Sequence, residues 1–303
     1  MFVVASVPEM VSDISFEDYC GLPGLNASTL AWGMKYAQHL KACLDGELKK
    51  ESPALTFGRA LHAKLLEPDV YLRDFTISTG CQAIIKSGDS KGMVCGNNAG
   101  WLLNGQWLCG LHAPKALKEI SKPETNCLTM AEAERVELAA ASVMRHKVVG
   151  LLRQRGGFEV TLRYELDGIK CKARLDKYIP ATSGLPPIVI DLKKVAAGKA
   201  GSDSFAKSIV DYDYCFKAAW YVDAVHAVVG VKPTFIWVVV EDEAPYGVNV
   251  IQADGSDLAI GRMQYRDCMA KYIHGMRTGE WPGYAQRIQV GGAPEWYKKR
   301  FAL

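Results

Sequence analysis

The sequence predicts an α/β fold: a central mixed β-sheet flanked by helices, with a helical part at its N-terminal end. Two observations carry this. Up to about residue 150 the apolar residues recur at helical spacing, interrupted by one Gly-, Asn- and Cys-rich stretch. Beyond it the texture changes to short alternating or β-branched runs, interleaved with two long helical patterns. Strands repeat every second residue and helices every 3.6, so the two regimes separate on periodicity alone.

The elements follow in order. Residues 14–50 read as a loop and then a helix, with Asn26 or Ser28 to cap it and Leu30, Met34, Ala37 and Leu40 at helical spacing. Residues 54–67 form a second helix, stopped by Pro68, which has no amide hydrogen to continue it. Residues 78–112 lack both periods. Residues 129–152 open on a capping box, Thr129 to Glu132, and continue as a long Ala-rich helix. Phe158–Glu165 alternates, Asp167-Gly168 is a hairpin-turn signal, and Ile169–Asp176 alternates again. Ile188–Lys193 is a third strand, Tyr214–Val229 a helix, Pro233–Glu241 a fourth strand, Gly247–Gln252 a fifth and Ser256–Thr278 a closing helix. No repeat or low-complexity linker divides the chain. It reads as a single domain over residues 1–303, with 1–150 helical and carrying an insert at 78–113, and 151–303 forming the sheet core.

Hydrophobic residues make up 49% and charged residues 23%, the balance of a soluble globular protein. The net charge of +3 is too small to indicate a nucleic-acid partner, so any basic surface must be local. The opening MFVVASVPEMVSD has no basic segment before its brief apolar run and does not read as a convincing signal peptide. The apolar run near Phe235–Val240 is too short to span a membrane and reads as buried strand. A cytoplasmic location without a membrane partner is expected. Nine cysteines without a secretory signal suggest reduced thiols or metal ligands rather than disulfides.

Chemistry concentrates at two strand ends. Asp176 closes the run Ile169–Asp176, with Lys170, Lys172, Arg174 and Asp176 on one face. Asp191 closes Ile188-Val189-Ile190, and Asp191 and Lys193 share a side. Two carboxylates at neighbouring strand ends can hold a hard cation through oxygen. Such a cation activates water and stabilises phosphoryl charge, and a lysine beside it adds a second positive group. This is the acidic–acidic–lysine pattern of a metal-dependent phosphodiesterase. Asp-x-Lys also arises by chance at solvated strand ends.

Further segments stand in a specific order: Ile14–Tyr19, Gly58-Arg59-Ala60-Leu61-His62, Leu66-Glu67-Pro68, Arg174-Leu175-Asp176-Lys177, Ile190–Lys193, Tyr214–Asp223 and Glu280-Trp281-Pro282. With these the chain resembles the RecE-type exodeoxyribonuclease (exonuclease VIII) nuclease domain of the PD-(D/E)xK superfamily. The resemblance implies a restriction-endonuclease-like core. It also implies Mg²⁺- or Mn²⁺-dependent digestion of one strand of linear double-stranded DNA, 5′ to 3′, leaving a 3′ single strand for recombination. A ring-like homo-oligomer, a single-strand-annealing recombinase partner and a bacterial or phage-infected cell belong to the same expectation. By carry-over, His62, Asp176 and Asp191 hold the metal, Lys193 is the catalytic lysine, and Glu159 contacts the metal or its water. The Leu192 carbonyl is a further candidate ligand. Read from their own elements, His62 is a packed or surface histidine and Glu159 a salt-bridge partner. Lys172, Arg174, Lys194, Lys217 and Tyr221 are the candidate DNA contacts. The family usually has glutamine where Lys217 stands, four residues before Tyr221. Lysine cannot accept a hydrogen bond, so Lys217 either holds a phosphate or weakens the metal site.

In the insert, Cys81, Cys95, Cys109 and His112 resemble small Cys₃His zinc modules. Thiolate and imidazole are the usual ligands of structural zinc, and Cys109-x-x-His112 has suitable spacing. Reduced cysteines in a loop are the alternative. An iron–sulfur cluster is not expected, because the C-terminal part lacks a cysteine cluster. Besides the exonuclease, two other functions fit: a structure-specific or restriction-type endonuclease, and a DNA-binding module with a weakened nuclease site. Retention of His62, Asp176, Asp191 and Lys193 together argues against the last.

Overall fold

The computed structural model describes residues 8–12, 14–48, 53–121, 126–153 and 155–301. Most of the opening segment read for a signal peptide lies outside them. A short strand β1 (Glu9–Val11) precedes α1 (Phe16–Gly21), whose Ser15 cap accepts the Asp18 amide at 3.0 Å. The one helix expected within 14–50 is divided. α2 (Ala27–Leu30), capped by Asn26, runs into a 3-10 turn at Ala31–Met34, and α3 (Ala37–Leu44) restarts after an extended Tyr36. Within the 3-10 turn Gly33 lies against Cys268 of a distant helix, where a Cβ would come within 3.2 Å of it.

α4 (Pro53–Leu66) ends as expected, and Pro68 then starts α5 (Pro68–Asp74), at a position that needs no amide hydrogen. β2 (Thr76–Ser78) pairs in parallel with β5 (Cys127–Thr129). Between them stand a hairpin, β3 (Trp101–Leu103) with β4 (Gln106–Leu108), and α6 (Lys115–Ile120). The capping box of Thr129 and Glu132 is present and opens α7 (Met130–Arg145). The chain breaks at His146 before α8 (Lys147–Arg153), so the long helix expected here is two.

The core strands follow the alternation. β6 (Gly157–Leu166) and β7 (Ile169–Ile179) join through Asp167 and Gly168, at φ +52° and +77°. Two left-handed residues are what a tight hairpin turn of this hand demands. β8 (Ile188–Val195) leads through α9 (Ser202–Asp211) and α10 (Tyr214–Val229) to β9 (Thr234–Glu241). β10 (Val248–Gln252), α11 (Gly255–Thr278) and α12 (Glu295–Lys298) complete the chain.

The sheet order is β1-β6-β7-β8-β9-β10. Every pair is antiparallel except β8 with β9, which are parallel across the α9–α10 crossover. It is a six-stranded mixed sheet flanked by helices, as expected. One core packs α10 and α11 with α2 against Val160, Leu162, Leu175 and Trp237. The other packs α4 and α7 against Ile179, Ile190, Val238 and Val240. α10 is apolar nearly all round because sheet and α11 enclose it, and Gly261 lets α11 approach so closely that a Cβ there would sit 1.9 Å from the Cys215 carbonyl oxygen. Among the described residues, no helix is long and apolar enough to cross a membrane.

Candidate active site

Strand register brings three carboxylates into a row. The pairs Phe158 with Lys177 and Val160 with Leu175 flank Glu159 and Asp176, which therefore oppose each other. The pair Lys177 with Ile190 is the last between β7 and β8, and one further step sets Asp176 across from Asp191. Glu159 has a left-handed backbone, φ +50°, which is uncommon for a residue with a Cβ and is held here by the contacts of its side chain.

His62 reaches this row from α4. Its Nε2 is 3.1 Å from Asp176 Oδ2 and its Nδ1 3.4 Å from Glu159 Oε1. One ligand atom each from His62, Glu159 and Asp176 lie within 4.8 Å of one another. The Leu192 amide donates to Asp176 Oδ2 at 2.7 Å, so Leu192 contributes its N–H to the site. Arg174 Nε donates to Glu159 Oε2 at 2.5 Å, whereas Glu159 Oε1 is buried without a hydrogen bond and faces His62.

Asp191 does not join that set of three. Fully buried, it meets two ammonium groups: that of Lys193, and that of Lys217 at 3.0 Å from Oδ1. Each lysine also lies over an aromatic ring, Lys193 over Tyr214 at 5.0 Å and Lys217 over Tyr221 at 5.1 Å. The two are driven apart in basicity. Burial, reinforced by the charge of Lys217, pushes Lys193 below the ordinary lysine value in spite of Asp191. Burial also opposes the charge on Lys217, but Asp191, with Tyr221 and Asp176, outweighs it and holds Lys217 well above the ordinary value. Groups whose environments separate their proton affinities in this way are suited to different roles in one site.

Four of the candidate DNA contacts are engaged within the fold. Lys172 is buried, and its ammonium donates to the carbonyls of Tyr19, Cys20 and Leu22 at 2.9, 3.1 and 2.6 Å. It thus caps the C-terminal end of α1, where a cation is favoured. Arg174 is buried too, bonded to Glu159, to Glu67 at 3.2 Å and to the Ile14 carbonyl at 2.9 Å. On this face of β7 the N-terminal segment covers Lys172 and Arg174, while Lys170 is exposed. Lys194 is paired with Asp242 at 2.8 Å, and Tyr221 belongs to the main core. Lys217, half-buried, does lie at the site. Sequence reasoning did not assign Glu67 or Tyr214. Glu67 stands within a quoted motif, five residues after His62, and its acidic character beside Pro68 was the available signal.

Lys217→Gln tests the second lysine. With glutamine, Asp191 keeps Lys193 but loses a competing cation, so less Mg²⁺ should be needed for half-maximal activity, with the fold retained. A metal titration of wild type and variant decides. A variant that needs more metal, or loses activity at saturating metal, would make Lys217 a working part of the site.

Comparison with known proteins fits this geometry. Residues 28–292 match the family described as "PDDEXK-like domain of unknown function (DUF3799)". No curated protein sequence matches the chain. A crystal structure from Eubacterium rectale, described as a "Putative exonuclease", is similar with a TM-score of 0.58 and 17% identity, over 94% of this chain and 97% of that one. At that identity the likeness bears on the fold.

Proposed function

The chain belongs to the PDDEXK-like DUF3799 family, and from that premise we propose that it is a divalent-metal-dependent nuclease acting on DNA. The observation that supports this best is the row Glu159, Asp176, Asp191 across three neighbouring strands, with His62 above it and Lys193 beside it. The donor set fits a hard cation: two carboxylates and an imidazole converge, and one buried carboxylate oxygen is without a hydrogen bond. His62, Glu159 and Asp176 would hold the ion, and the imidazole makes Mn²⁺ as suitable as Mg²⁺. When bound, the ion supplies an activated water and a Lewis acid for the phosphoryl oxygen. Asp176 is fixed for this by the Leu192 amide and Glu159 by Arg174. Lys193 brings a positive charge to a largely buried position beside Asp191, where charge stabilisation is worth more than in water.

The finer reading is an exonuclease that degrades one strand of linear duplex, 5′ to 3′, to expose a 3′ single strand for recombination. It would work as a ring-like homo-oligomer with a single-strand-annealing recombinase in the bacterial or phage-infected cytoplasm. End-labelled linear duplex, nicked circle and closed circle, each with Mg²⁺ or Mn²⁺, test it. Loss of the linear substrate from the 5′ end with the closed circle untouched is expected. Cutting of the closed circle would instead mark an endonuclease, and binding without cleavage a DNA-binding module.

Metal affinity should depend on pH. Burial, its largest influence, and the Asp176 charge lift the Glu159 carboxyl to about 7, against the effect of His62 and Arg174. Burial opposes a charge on His62, but Asp176 and Glu159 outweigh it and raise its pKa. Both shifts mean that the metal-free site holds protons that the unfolded chain would release. Their contribution to stability is full below the unfolded values and is lost as pH rises, for Glu159 between 4.5 and about 7. A cation must displace those protons. Mn²⁺ affinity measured by calorimetry should therefore fall as pH drops below about 7, by up to ~10-fold per unit for each proton displaced. A profile that is flat, or no steeper than that of Glu159→Gln, would refute the assignment.

A further inference from the structure

Between β2 and α7 the chain folds around four side chains that the nuclease reading does not use. Ligand atoms of Cys81, Cys95, Cys109 and His112 all lie within 4.8 Å of one another. The sulfurs of Cys95 and Cys109 are 4.0 Å apart, and His112 Nδ1 is 3.5 Å from the Cys81 sulfur and 3.4 Å from that of Cys109. A tetrahedral zinc ion, with bonds of about 2.3 Å to sulfur and about 2.0 Å to nitrogen, implies edges of roughly 3.8 Å between sulfurs and roughly 3.5 Å from sulfur to nitrogen. The measured separations are close to those edges. We infer that this segment binds one structural Zn²⁺ through Cys81, Cys95, Cys109 and His112, in a closed site separate from the nuclease centre.

The surrounding backbone is built for it. Cys81 and the residues about Cys95 form a two-stranded ladder: the Cys81 amide bonds the Asn97 carbonyl at 2.8 Å, Gly96 bonds Cys81 at 2.9 Å, and Cys95 bonds Ala83 at 2.9 Å. Cys109 and His112 share one turn, with the His112 amide on the Cys109 carbonyl at 3.0 Å.

Packing alone does not explain four such groups in one place. The buried apolar set here is small, Ala99, Trp107, Leu108 and Ala113 with Cys81 and Cys109 themselves. A segment with so little core needs a cross-link to hold one shape. All four cysteines of this region, Cys81, Cys95, Cys109 and Cys127, are free, so no disulfide supplies it. An iron–sulfur cluster interposes several inorganic atoms and would spread its ligands beyond these separations. The donors are soft, whereas His62, Glu159 and Asp176 are mostly hard, so the two sites select different ions.

Elemental analysis of the purified full chain, after dialysis against enough EDTA to strip weakly held ions, tests the inference. One zinc per chain is expected, and Asp176→Asn should retain it whether or not the nuclease reading holds. Cys95→Ser with Cys109→Ser should lose it. Should that variant fail to fold, wild type reloaded with Co²⁺ decides, by the visible absorption of tetrahedral cobalt–thiolate. Folded wild type without zinc, a folded double variant with its full zinc, iron in place of zinc, or Co²⁺ without the tetrahedral spectrum would each overturn it.

Discussion

Replacing Lys193 with alanine is expected to slow phosphodiester hydrolysis by about 10²–10³-fold, the usual cost of removing one preorganised charge-stabilising group. The structure separates this effect from loss of metal or fold. Asp191 keeps Lys217 as a partner at 3.0 Å, so the buried carboxylate is not left unpaired. His62, Glu159 and Asp176 are untouched, so Mn²⁺ binding by calorimetry should stay close to wild type. Single-turnover cleavage of labelled duplex reads the chemical step. Wild-type turnover in Lys193→Ala would sink the catalytic assignment. Lost metal binding would show that the lysine acts by holding the site together.

Arg174→Met should destabilise the fold by about 3–5 kcal/mol, the range for removing one partner of a buried charge pair. Arg174 is 6% exposed and binds Glu159, Glu67 and the Ile14 carbonyl. Without it, the Glu159 carboxylate faces Asp176 and keeps His62 as its neighbouring cation. The methionine fills much of the volume but satisfies none of those oxygens. Urea denaturation measures the change. Stability within about 1 kcal/mol of wild type, together with weaker binding of linear duplex, would return Arg174 to the role of a phosphate contact.

These two residues mark how far the sequence could be read. Lys193 was legible because strand parity puts it beside Asp191 whatever surrounds the strand. Arg174 has an equally clear parity, beside Lys172 and Asp176, but parity says only that three groups share a face. It does not say what covers that face. The N-terminal segment covers it, and contacts between residues about 160 positions apart leave no trace in a local pattern. The same applies to the 3-10 turn at Ala31–Met34, where Gly33 lies against Cys268 of α11.

The sequence by itself determined the core strands β6 to β10, the helices α4, α10 and α11, the capped start of α7, the turn at Asp167-Gly168, and the presence of Asp176, Asp191 and Lys193 at strand ends. Each depends on periodicity, capping or turn chemistry within a few residues. Only the tertiary structure decided how the charges are shared. It set Glu159 opposite Asp176, brought His62 to both, and gave Asp191 to Lys193 and Lys217. It also turned Lys172 and Arg174 inward. The reason is physical: a buried charge takes the partner that three-dimensional packing places within hydrogen-bond reach, and that choice depends on register and helix docking across the whole chain.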